Sequence, residues 1–151
     1  MLHNDVLVIL ERDLLKLKEE ISLYKNTDDL WVVAPGTSNS GGNLALHLVG
    51  NLRHFIGAVL GNSDYVRDRD SEFSSKNLSA GDLMNLIDTA NMEVANALKN
   101  LDPSKLSVEF PKDIGGKKMD TAYVLLHLLV HLGYHLGQIN YHRRIISSPE
   151  R

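Results

Sequence analysis

Cysteine is absent from this chain of 151 residues, which excludes thiolate metal sites and cysteine nucleophiles. Any metal held here takes nitrogen and oxygen ligands. A chain of this length reads as one domain, spanning 1–151, that buries roughly two-thirds of its unfolded surface without cross-links. The missing thiols fit a reducing cytoplasm.

A large excess of charge of one sign is also missing. The net charge is -3, with acidic and basic residues mixed along the chain, so no basic stripe points to nucleic acid. The start, Met1-Leu2-His3-Asn4-Asp5, lacks the basic region of a signal peptide. Apolar runs are too short and too rich in histidine to span a bilayer. No internal repeat or low-complexity segment appears. The expected class is a soluble cytoplasmic protein that binds neither membrane nor nucleic acid.

What is present is helical periodicity, four times over. Val6, Leu10, Leu14, Leu17 and Ile21 share one face of a predicted helix over 4–24. A linker with Trp31 and the breaker-rich stretch 35–42 leads to a second helix over 43–60, stopped by Gly61-Asn62. A polar connection over 64–77 carries the alternating charges Arg67-Asp68-Arg69-Asp70. The third helix opens at Ser79, with Asp82 completing a capping box, and is closed near Leu101 by Asp102-Pro103. Residues 107–110 alternate like a strand that Gly115-Gly116 turns back, so a short β-hairpin is expected before the last helix. That helix spans 120–146 with Asp120 as N-cap. It is apolar all round in its first half, which predicts the most buried helix, and Arg143 and Arg144 suit its terminal dipole. The sum is an all-α four-helix bundle.

Three of the seven histidines, His127, His131 and His135, repeat every fourth residue on that last helix. Imidazoles among aliphatic neighbours need partners, and one metal ion satisfies several together. His127 and His135 stand about 12 Å apart at ~1.5 Å rise per residue, too far for one ion. The maximum is one adjacent pair, His127 with His131 or His131 with His135. A third ligand must come from another helix. His47, set among Leu44, Leu46, Leu48 and Val49 with Asn43 and Asn51 one turn either side, is a better candidate than His54. The competing reading is plain: a lone buried histidine is more often a hydrogen-bonded core residue, and HxxxH lacks the glutamate of HExxH. His3, His127 and His142 are read as structural. Asp120 shares the ligand face but stands about 16 Å from His131 at ~1.5 Å per residue, and no carboxylate presents itself as a general base. Arg67 and Arg69 are read as solvated partners of neighbouring acids.

The run His131-Leu132-Gly133-Tyr134-His135-Leu136-Gly137-Gln138 resembles the HxxxH-x-GQ signature of the DinB-like (damage-inducible) metalloprotein superfamily, and 43–51 fits the position of its earlier histidine. The resemblance covers nearly the whole chain, within an uncharacterised branch. It selects His47, His131 and His135 as metal ligands, over His54 and His127. It implies an up-down-down-up four-helix bundle, commonly dimeric, holding a divalent ion, often zinc or nickel. Leu136 stands where many relatives have arginine, so that arginine's role does not carry over. Relatives include thiol transferases using low-molecular-weight thiols, and isomerases or amidases of thiol conjugates. The expected function is therefore activation of a thiol or water for attack on a small electrophile. The alternative is a non-catalytic, metal-stabilised or small-molecule-binding dimer. Gln138, one turn past His135, is the candidate catalytic residue, and Asn43, Asn51 and Tyr134 are expected to support the ligands.

Overall fold

The computed structural model describes residues 1–148, which are mostly helical. Helix α1 (Leu2–Ser22) buries the apolar row that predicts it: Val6, Leu10, Leu14, Leu17 and Ile21 are all sealed from solvent. Each such side chain contributes about 1.5–3 kcal/mol through burial. A 3-10 turn, Thr27–Trp31, follows and places Leu30 in the core. Helix α2 (Gly41–Leu52) is capped by Ser40, whose Oγ accepts from the Asn43 N–H at 3.1 Å. It runs straight into a π-helical turn, Arg53–Ala58, and the chain reverses at Asn62, φ 55°.

Inside the polar connection lies a short helix, α3 (Arg69–Ser74), which sequence periodicity does not reveal. Helix α4 (Ala80–Lys99) opens on the expected capping box: Asp82 N–H donates to Ser79 Oγ, and Ser79 N–H donates to the Asp82 carboxylate, both at 3.0 Å. Helix α5 (Thr121–Ile146) begins where Asp120 accepts from the Tyr123 N–H at 2.7 Å. Capping thus places the starts of α4 and α5 as the sequence implies, whereas α2 starts two residues before the expected position and α1 has no side-chain cap.

Helices α1 and α2 each pack against both α4 and α5, and α3 packs on α2. This arrangement sets the histidine-bearing faces of α2 and α5 against each other. The most buried helix is α2, in which every residue but Leu46 is buried. The expectation that α5 holds that place is corrected here. One side of it leaves Tyr123, Val130, Tyr134, Tyr141 and Ile145 exposed. Amphipathicity on this helix is obscured because apolar residues occupy both its faces.

The expected hairpin reduces to two isolated bridges, Glu109 with Asp120 and Ile114 with Lys117, and no strand forms among the described residues. The turn itself is right: Gly115 and Gly116 have φ of 59° and 77°, and Ile114 and Lys117 exchange both backbone hydrogen bonds at 3.1 Å. Around Ile114 the segment is exposed, so no apolar face drives a longer ladder. No helix among the described residues is long and apolar enough to cross a membrane.

Candidate metal centre

His47 projects from the middle of α2, and His131 and His135 from successive turns of α5. One ring nitrogen from each falls within 4.8 Å of the other two. His47 Nε2 and His131 Nε2 are 3.1 Å apart. Two nitrogens bound tetrahedrally at zinc–nitrogen distances of ~2.0–2.1 Å stand about 3.3 Å apart, so this pair already has near-ligand spacing. The three rings lie nearly edge to face, at interplanar angles of 77°, 86° and 87°.

Hydrogen bonds at the far side of two rings fix which nitrogen is free. His47 Nδ1 lies 3.1 Å from Glu72 Oε1, and His135 Nδ1 lies 2.7 Å from Gln138 Oε1. Both acceptors draw the proton to Nδ1 and leave Nε2 with its lone pair available, the arrangement found around metal-ligating histidines. His131 Nδ1 is buried without a partner. Burial, followed by the neighbouring His135, His47 and His127, pushes the His131 imidazole down to about 4. Burial likewise lowers His135, against the Gln138 hydrogen bond that raises it. Neutral, lone-pair-bearing imidazoles are the form a divalent metal binds, so the donor set fits such an ion.

Glu72 answers the search for a carboxylate. It is buried on α3, and Arg67 grips it with Nε on Oε2 and Nη2 on Oε1, both at 2.9 Å. Burial pushes the Glu72 carboxyl up, but hydrogen bonds from His47 and Arg67 outweigh it and hold the group below the ordinary carboxylate range. It therefore stays ionised and accepts from His47. The expected Arg67 ion pair is real but enclosed rather than solvated, while Arg69 lies over the Phe73 ring at 5.2 Å. Phe73, beside Glu72, packs against His47 with ring centroids 5.0 Å apart.

Two residues of α2 make room for this connection. A Cβ on Gly50 would overlap the Glu72 carboxylate, so only glycine lets the acid lie against the helix. Asn43 donates to the carbonyls of Glu72 at 2.9 Å and Ser75 at 2.8 Å, tying α3 to α2. A glycine one turn past His47 is the signal in the sequence that points to a close approach here.

The other expected residues fall as follows. Asn51 is buried with its Oδ1 unpartnered, and Tyr134 is exposed with its ring beside His135, centroids 5.3 Å apart. Gln138 is exposed and commits its oxygen to His135. His127 is exposed. His54 packs its ring on Phe55, its neighbour in the π-helical turn. His3 is buried near the start of α1. His142 is buried with both nitrogens occupied: it accepts from the Tyr24 hydroxyl and donates to the Val32 carbonyl, each at 2.7 Å. Asp120 serves as a helix cap.

No curated protein matches this chain. A family model described as "Protein of unknown function (DUF1572)" matches residues 11–150, a span that includes α2, α3 and α5 with the three histidines, Arg67 and Glu72. The chain belongs to this DUF1572 family.

Proposed function

We propose that this chain is a metal-dependent enzyme that activates a thiol or a water for attack on a small electrophile, acting in the cytoplasm as a single DinB-like domain. The observation that carries the reading is the convergence of three histidines whose remaining ring nitrogens are held, in two of them, by Glu72 and Gln138. Three protein ligands leave coordination positions open, the pattern of a catalytic rather than a closed structural site. A divalent ion there, zinc or nickel, supplies the Lewis acidity that makes a water or thiol nucleophilic near neutral pH.

The chain's own residues do the rest. His47, His131 and His135 present lone pairs. Glu72 keeps the His47 proton on Nδ1, and Arg67 keeps Glu72 ionised and in place. Gln138 orients His135, and its amide N–H2, without a partner among the described residues, is placed to donate to substrate. The packing of α1 and α2 each against both α4 and α5 is compatible with a four-helix bundle, and the up-down-down-up order and the superfamily are part of the proposal. A low-molecular-weight thiol as cosubstrate and a homodimeric state complete the proposal.

The test is turnover. Protein loaded with zinc or nickel is assayed with low-molecular-weight thiols against epoxide, haloarene and ester electrophiles, with a chelated control. Metal-dependent consumption of electrophile, lost at least a hundredfold in His131→Ala, is the expected result. Bound metal with no turnover across the panel overturns the enzyme reading and favours the non-catalytic bundle.

A further inference from the structure

Against the outer side of His135 opens a cavity of about 720 Å³ between α5 and the loop that precedes α2. Its size is that of a small-molecule site, which typically spans roughly 300–1,000 Å³. Leu44 and Ile145 give it an apolar wall, and Tyr134 and Tyr141 add two aromatic rings that the helix leaves 66% and 65% exposed. Large aromatic side chains held out of the core at the mouth of a cavity are a surface for stacking. Between them sits Gly137, where an added Cβ would meet nothing within 4 Å. A glycine inside a helix costs about 1 kcal/mol relative to alanine, and here no neighbouring side chain of the protein requires it. The space it leaves belongs to the cavity.

The polar groups of the lining are all of one kind. Thr37, Ser38, Asn39 and Gln138 offer hydroxyls and amides. No Asp, Glu, Lys or Arg lines the cavity among the described residues. The two histidines in its wall are engaged elsewhere, His135 through Nδ1 with Gln138 and His142 through both nitrogens with Tyr24 and Val32. Arg144 lies over the Tyr141 ring at 5.6 Å without itself lining the space. In the metal-free chain the lining side chains offer a charged ligand no opposite charge in exchange for its hydration, whereas a neutral carbonyl or amide would exchange water for hydroxyl and amide partners.

We infer that this cavity is the binding site for the electrophilic substrate, and that the substrate is an uncharged, ring-bearing carbonyl compound. Its ring packs against Tyr134 and Tyr141 over Gly137, and its carbonyl faces the hydroxyls and amides beside His135. This assignment rests on the metal-enzyme reading only in making the occupant a substrate. The binding site itself stands on the cavity.

Three probes of one shape and different charge test it: benzamide, benzoate and benzamidine. Each is titrated into the ¹⁵N-labelled full chain, with and without zinc, while amide shifts are followed and zinc stoichiometry is measured on the same samples. In the zinc-free chain benzamide should shift residues 37–39 and 137–138 saturably and bind at least tenfold more tightly than either charged analogue. Gly137→Leu, which projects into the cavity, should weaken benzamide at least tenfold with zinc uptake unchanged, and Gly137→Ala should fall between. Equal or tighter binding of benzoate to the zinc-free chain, shifts elsewhere, or no effect of Gly137→Leu overturns the inference. Zinc uptake without benzamide binding overturns the cavity assignment alone. Benzamide binding without zinc uptake leaves the neutral-ligand site standing and removes the metal reading.

Discussion

At the scale of single residues, the three-histidine cluster is held by groups outside it. Glu72 fixes the His47 tautomer, and its own ionisation depends on Arg67. Removing such an outer partner typically lowers metal affinity about 10–100-fold. Glu72→Gln keeps the shape but loses the anionic acceptor, and a competition titration with a zinc chelator should read a drop of that size with circular dichroism unchanged. Unaltered affinity would show that Glu72 only packs. The convergence of the three histidines was legible from spacing together with the family signature, because helix rise forbids His127 and His135 from sharing an ion. Glu72 was not legible. It lies 25 residues from His47 in a run of alternating charge that carries no periodic signal, and only the fold brings them together.

At the scale of elements, helix interiors separate glycines that are needed from those that are not. Gly50 lies where a Cβ would strike the Glu72 carboxylate, whereas Gly133 faces open space. Gly133→Ala should therefore stabilise α5 by up to about 1 kcal/mol. Gly50→Ala should instead destabilise the protein and weaken zinc binding together. Denaturant melts of both variants decide the matter, and a stabilised Gly50→Ala would contradict the packing described. The four long helices were legible because apolar period and caps agreed, as at Ser79 with Asp82 and at Asp120. The π-helical turn after α2 and the six-residue α3 were not, since neither is long enough to leave a periodic pattern. The burial of α5 was misjudged for a different reason: apolar composition does not say which face finds a neighbour.

At the scale of the whole molecule, the C-terminal part of α5 is anchored to the first half of the chain. Near its C-terminus, Asn140 and Arg143 donate to Glu20 of α1, and His142 bridges Tyr24 and Val32. Gly41 is part of this joint, since a Cβ there would overlap the Tyr24 hydroxyl. Burial, against a smaller opposing effect of the Val32 hydrogen bond, lowers the His142 pKa in the folded chain. The unfolded chain then takes up the proton at higher pH than the folded one. Stability from this group is complete above the unfolded value of about 6.5 and is lost as pH falls from there toward the folded pKa. In chelator, so that no metal contributes, the melting temperature should decline between pH 7 and pH 5, and less steeply in His142→Asn. An identical slope in the variant would remove His142 from the account.

The central claim is that His47, His131 and His135 form one divalent metal site. Calorimetric titration of zinc into chain purified without a metal column tests it most directly, with His47→Ala, His131→Ala and His127→Ala alongside. One ion per chain for wild type and His127→Ala, with binding lost in the other two while their helicity persists, is the expected result. Failure of the folded wild type to take up zinc or nickel, or undiminished uptake by His47→Ala, would contradict it.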